Sequence, residues 1–108
     1  MATIDQLRTL ALGFPGVTEE PHFNKTSFRK NGKIFATYDP ETERASLKLP
    51  ESDQYACSLA AKSVIYPVDN KWGKQGWTIV EMKKVDNNLF ADALKAAHDL
   101  IIQGNRKP

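Results

Sequence analysis

Thr26-Ser27-Phe28-Arg29-Lys30-Asn31-Gly32-Lys33-Ile34-Phe35-Ala36-Thr37-Tyr38-Asp39 decides the fold. Asn31-Gly32 is a strong signal for a two-residue hairpin turn, because both positions then need positive φ. The residues on either side follow a period of two, so Thr26–Lys30 and Lys33–Asp39 read as antiparallel strands. Ile34, Ala36 and Tyr38 then share one face of the second strand. Asp39-Pro40-Glu41-Thr42-Glu43 is a turn cluster, where Pro40 stops pairing. In a third strand, Arg44–Leu49, Ala45, Leu47 and Leu49 alternate with Ser46 and Lys48. The three strands form a meander.

Upstream, Thr3-Ile4-Asp5-Gln6 has the form of a capping box. It opens a helix over about 4–12, with Ile4, Leu7, Leu10 and Ala11 on one face and Gly13 and Pro15-Gly16 ending it. An acidic loop through Glu19-Glu20-Pro21 leads to the meander. Downstream, Pro50-Glu51-Ser52-Asp53 opens a second helix, its acids where the helix dipole favours them. Tyr55, Ala56, Leu59 and Ala60 would be its buried stripe. Val64-Ile65-Tyr66-Pro67 reads as a short strand or extended segment, Asp69–Gly76 as a polar loop, and Trp77–Val85 as a further strand. In that strand Val80 and Met82 inward leave Trp77, Ile79, Glu81 and Lys83 outward, although the other register is nearly as apolar. Asn87 or Asn88 caps a last helix with Phe90, Ala93, Leu94, Ala97 and Ile101 on one face, ended by Gly104.

The order α-β-β-β-α-(β)-β-α indicates an α+β fold, an antiparallel sheet with helices on one face and the other face open. Its core should contain Leu7, Leu10, Ile34, Ala36, Leu47, Leu49, Leu59, Phe90, Leu94 and Ile101. The 108 residues suit a single domain spanning 1–108. A hydrophobic content of 41% and a charged content of 26% are those of a globular chain. Cys57 is the only cysteine, which excludes an intrachain disulfide and a thiolate metal cluster and fits a reducing compartment. The N-terminus lacks the pattern of a signal peptide, and no apolar run approaches the length of a membrane span. A cytoplasmic location without membrane contact is the expectation.

Net charge is +2, but the bases are unevenly placed: residues 25–84 hold eleven against seven acids. That excess permits weak contact with phosphates without compelling it.

Several stretches resemble the MmcQ/YjbR family of small bacterial proteins. They are Pro15-Gly16-Val17-Thr18-Glu19-Glu20, Pro21-His22, Ser27-Phe28-Arg29 and Gly32-Lys33 leading into Ile34-Phe35-Ala36. Ala45-Ser46-Leu47-Lys48-Leu49-Pro50 and Trp72-Gly73-Lys74-Gln75-Gly76-Trp77 look like that family's third strand and the loop before its last strand. The resemblance spans roughly 10–100, in the right order. It implies a fold similar to frataxin's, the CyaY-like fold, and DNA contact through a double wing of hairpins, with no agreed enzymatic activity.

Lys71, Trp72, Lys74 and Trp77 are the most suggestive constellation, indoles that can stack on bases among lysines that can neutralise phosphates. The plainer reading is that the indoles fill the core edge and the lysines keep the loop soluble. Arg29, Lys30, Lys33, Lys48, Lys83 and Lys84 would form a basic stripe, although alternation separates neighbours, or else lysines guarding a sheet edge. Glu19, Glu20 and His22 have oxygen and nitrogen donors, but no second histidine lies near in sequence, so no metal is expected. Cys57 has no adjacent base and reads as an inert thiol. There is no Gly-rich phosphate loop, nucleophile elbow or paired-carboxylate signature. The sequence therefore points to a non-enzymatic binding module without a cofactor. Its expected partner is nucleic acid, held by Arg29, Lys48, Lys71 and Lys74 with stacking from Trp72. The alternative is a protein partner on the open sheet face.

Overall fold

In the computed structural model, Asn31 and Gly32 have φ of 55° and 78°, the pair of positive values that a type I′ hairpin needs. The structure describes residues 2–105. The turn joins β2 (Lys25–Lys30) to β3 (Lys33–Asp39), and β4 (Arg44–Lys48) completes the expected meander. Phe28 pairs with Ala36 but Arg29 pairs with Ile34, so Phe35 is an extra residue, a bulge. The bulge explains a departure from simple alternation. Phe35 and Ala36 are both buried, whereas Ile34 is only half-buried on the far side of the sheet.

Residues 17–22 are not a loop. Val17–His22 forms β1, fully paired with β2. Its Pro21 lies on an edge, where the missing N–H disturbs no second ladder. The remaining strands are β5 (Ile65–Pro67) and β6 (Trp77–Glu81), and the antiparallel sheet runs β1-β2-β3-β4-β6-β5. Val80 and Met82 do point inward, leaving Trp77, Ile79 and Glu81 on the outer face. β6 ends earlier than expected, at Glu81.

α1 (Ile4–Gly13) carries the full Thr3/Gln6 capping box. It packs on β1, where Arg8 pairs with Glu19 at 2.7 Å. α4 (Asn87–Asn105) lies across β3 and β4, and its predicted stripe of Phe90, Ala93, Leu94, Ala97 and Ile101 is buried. The Asp86 carboxylate, rather than Asn87 or Asn88, caps it by accepting from the Asn88 and Leu89 N–H groups. The helix also continues past Gly104 to Asn105. His98 on the buried side of this helix stacks on Phe14 at 4.1 Å between centroids.

α2 (Glu51–Ala60) starts where expected but is rotated from the expected face. Tyr55 and Leu59 are each 67% exposed, and Ala56 and Ala60 are exposed beside them. Gln54 and Cys57 face inward instead. The Gln54 Nε2 donates to Gly73 O and Thr78 Oγ1, both at 3.0 Å, and a polar side chain so engaged sets the helix's rotation. Of the expected core, Leu7, Ala36, Leu47, Leu49, Phe90, Leu94 and Ile101 are buried, whereas Leu10 and Leu59 are exposed. α3 (Lys71–Lys74), a single turn, interrupts the expected loop between β5 and β6. No helix among the described residues is long and apolar enough to cross a membrane.

Candidate functional site

Strand register fixes what the outer face carries. One row runs Ser27, Thr37, Ser46, Ile79 and Tyr66 across five strands. Beside it Arg29 lies opposite Ile34, and Lys48 lies opposite Trp77. Of the helices, the single turn of α3 borders these side chains from β6, whereas α1 packs on β1, α2 on β5 and α4 on β3 and β4. Two depressions lie here. A groove of about 400 Å³ is lined by His22, Lys25, Ile34, Thr37, Ser46, Val68, Trp72 and Trp77. A cleft of about 380 Å³ adjoins it at the rim of the sheet and shares Ile34 with it: Lys33, Lys48 and Lys74 stand on its walls with Glu51 and Gln54 from α2, and Ala97, Leu100 and Ile101 of α4 close it from the inner side.

The wall bearing Trp72 is held by local chemistry. The Asn70 carboxamide oxygen accepts from the Trp72 N–H at 2.8 Å and starts the turn of α3. Gly76 ends the segment at φ 107°, where a Cβ would come within 2.3 Å of the Leu49 carbonyl oxygen. Only glycine lets the two backbones meet there, and Leu49 N donates to Gly76 O at 2.9 Å. Trp72 is thus held while remaining 50% exposed. The Lys71 ammonium lies 5.8 Å from the centre of its ring, within cation–π range.

The predicted residues are brought together unequally. Lys48 and Lys74 meet in the cleft, and Trp72 and Trp77 meet in the groove. Lys71 sits on the same turn but lines neither the groove nor the cleft; it borders a separate depression with Asp69 and Asn70, its ammonium near the Trp72 ring. Arg29 is on the outer face but lies flat, its Nε donating to Ser27 Oγ at 3.0 Å. Among the described residues none of Arg29, Lys48, Lys71 and Lys74 is in an ion pair, although Arg8, Arg44, Lys83 and Lys95 are. The longer basic stripe does not exist. Lys30 reaches back to the Pro15 carbonyl, and Lys83 is paired with Glu43 at 2.7 Å. Sequence reasoning missed Lys25 and His22 as part of this surface, whereas Lys33, expected in the basic stripe, joins the cleft. Lys25 and His22 enter it only because residues 17–22 form a strand.

The other candidates separate. Glu19 turns inward to Arg8, while Glu20 pairs across the outer face with Ser27. Among the described residues no group of three or more His, Cys, Asp or Glu side chains could hold a metal ion. Burial, with Asp53 and Asp92 adding to it, pushes the Cys57 thiol above its ordinary pKa. Such a thiol is a poor nucleophile at neutral pH.

Residues 12–100 match the family model described as YjbR. No curated protein matches the chain. Among solved structures, the crystal structure of Deinococcus radiodurans protein DR2400, described with a DUF419 domain, superposes with a TM-score of 0.86. The two are 22% identical over 99% of this chain and 83% of that one, which shows a shared fold.

Proposed function

The chain belongs to the YjbR family, and on that premise we propose that it is a non-enzymatic binding module that contacts nucleic acid mainly through phosphates. One observation carries the reading: Lys48 and Lys74, with Lys33, converge on a single cleft beside a groove walled by exposed tryptophan. An ammonium without a carboxylate partner keeps its charge for a ligand, and phosphate is the anion that repeats along a nucleic acid. The acidic turn at 39–43 keeps its own company: Glu43 binds Lys83, and Asp39 accepts from the Glu41 N–H. That turn approaches no phosphate in this reading.

Binding is weak and salt-dependent. With about three or four phosphates neutralised, affinity falls roughly forty- to a hundred-and-fifty-fold between about 50 and 200 mM salt. Fluorescence anisotropy on labelled oligonucleotides at several salt concentrations measures this. Lys48→Ala with Lys74→Ala lowers the magnitude of the slope by about two, one counterion for each lysine. A slope near zero, or an unchanged slope in the double variant, contradicts the reading. A protein partner on the same face is the second reading, favoured by Ile34 and Ile79, half-buried and uncovered on the outer sheet. It predicts affinity that changes little with salt, since apolar burial is not ionic.

A further inference from the structure

We infer that the outer groove receives an unpaired nucleobase and the adjoining cleft its phosphate, so that this face is built for single-stranded nucleic acid. The inference rests on the nucleic-acid reading above and names the form of the ligand.

The groove has the chemistry of a base site rather than of a backbone track. Trp72 and Trp77 present aromatic surface to it, and His22 stands on the far wall, contributed by β1. Stacking on such faces tolerates any base, since every base has a π-face. Thr37 and Ser46 meet across neighbouring strands in the groove, and neither hydroxyl makes a side-chain hydrogen bond among the described residues. Each hydroxyl can both donate and accept, which suits the edge of a heterocycle whose pairing positions are free. No carboxylate lines the groove, and the cleft holds one, Glu51, against Lys33, Lys48 and Lys74.

The spacing links the two depressions into one nucleotide-sized site. Lys48 and Trp77 are direct cross-strand neighbours on the outer face, so their Cβ atoms lie about 5 Å apart. Lys48 lines the cleft, Trp77 the groove, and Ile34 both. A phosphate at Lys48 therefore places the attached base beside the indoles. A duplex cannot use this arrangement, because its bases are stacked on one another and paired along their edges. Only an unstacked base presents a free face and a free edge together.

The test compares three labelled ligands by fluorescence anisotropy at about 50 mM salt: a single strand, an abasic strand of equal length and charge, and a duplex. The intact single strand should bind at least about fivefold more tightly than the abasic strand, the gain from one stacked base. Trp72→Ala, an exposed position, should bring the intact strand to the abasic level with an unchanged salt slope, and Trp72→Phe should keep most of the difference. Equal binding of intact and abasic strands, or tighter binding of the duplex, overturns the inference and leaves the phosphate-binding reading standing. Failure of all three ligands to bind overturns both.

Discussion

Phe23 is 93% exposed and sits at φ 59°, in the left-handed region that a bulky side chain rarely occupies. It is in the turn between β1 and β2, edge-on to His22 with ring centroids 4.9 Å apart. Two penalties therefore meet in one residue: an apolar ring in water, and a backbone conformation costing about 1–2 kcal/mol without glycine. Asn31-Gly32 shows how the same chain makes a hairpin when the turn residues suit it. Phe23→Gly removes the backbone penalty, offset by the roughly 0.5–1 kcal/mol that glycine's freedom costs in the unfolded state. Stability in urea should stay level or rise by about 1 kcal/mol. A loss of more than about 1 kcal/mol would mean that the ring packs against something the structure does not show.

Elements differ in how clearly the sequence announced them. α4 was legible because its apolar residues repeat at helical spacing and all face one core. β1 was hidden, since Glu19, Glu20 and Pro21 are strand-poor residues that only a sheet edge tolerates. The face of α2 was hidden for a different reason. Tyr55 and Leu59, four apart, suggested a buried stripe, but the contacts that orient the helix come from Gln54 and lie far away in sequence. Gln54→Ala should cost about 0.5–1.5 kcal/mol, the net worth of the lost bonds, because Gly73 O still accepts from the Gly76 N–H and Thr78 Oγ1 still donates to Gly76 O. The same bonds tie α2 to Gly73, so amide exchange across Trp72–Gly76 should quicken in the variant. Unchanged stability and exchange would show that packing alone holds α2 in place.

At the scale of the whole molecule the two faces of the sheet have different chemistry. The inner face presents Phe28, Ala36, Leu47 and Val80 to the helices, and the outer face is a mixture of hydroxyls, aromatic rings and bases. The inner face of the third meander strand could be read from alternation, but the Phe35 bulge breaks it in β3 and β6 is nearly as apolar in either register. The candidate site was read only in part. Lys71, Trp72, Lys74 and Trp77 were visible as residue types close in sequence and Lys48 as an outward strand residue, whereas the convergence of Lys48, Trp72, Lys74 and Trp77 with Lys33, Lys25 and His22 depends on pairing between distant strands. Arg29 shows the reverse, a base that sequence favours and that local hydrogen bonds lay flat against the sheet.

The central claim is that this outer face is the binding surface. Amide chemical-shift mapping tests it most directly, by titrating a short single-stranded oligonucleotide into isotopically labelled protein at about 50 mM salt, where ionic contacts are strong. The account predicts shifts concentrated at Ile34, Thr37, Ser46, Lys48 and Trp72–Trp77, with the indole N–H of Trp72 among the largest. Shifts centred instead on Tyr55–Leu59 of α2, or none at all, would contradict it.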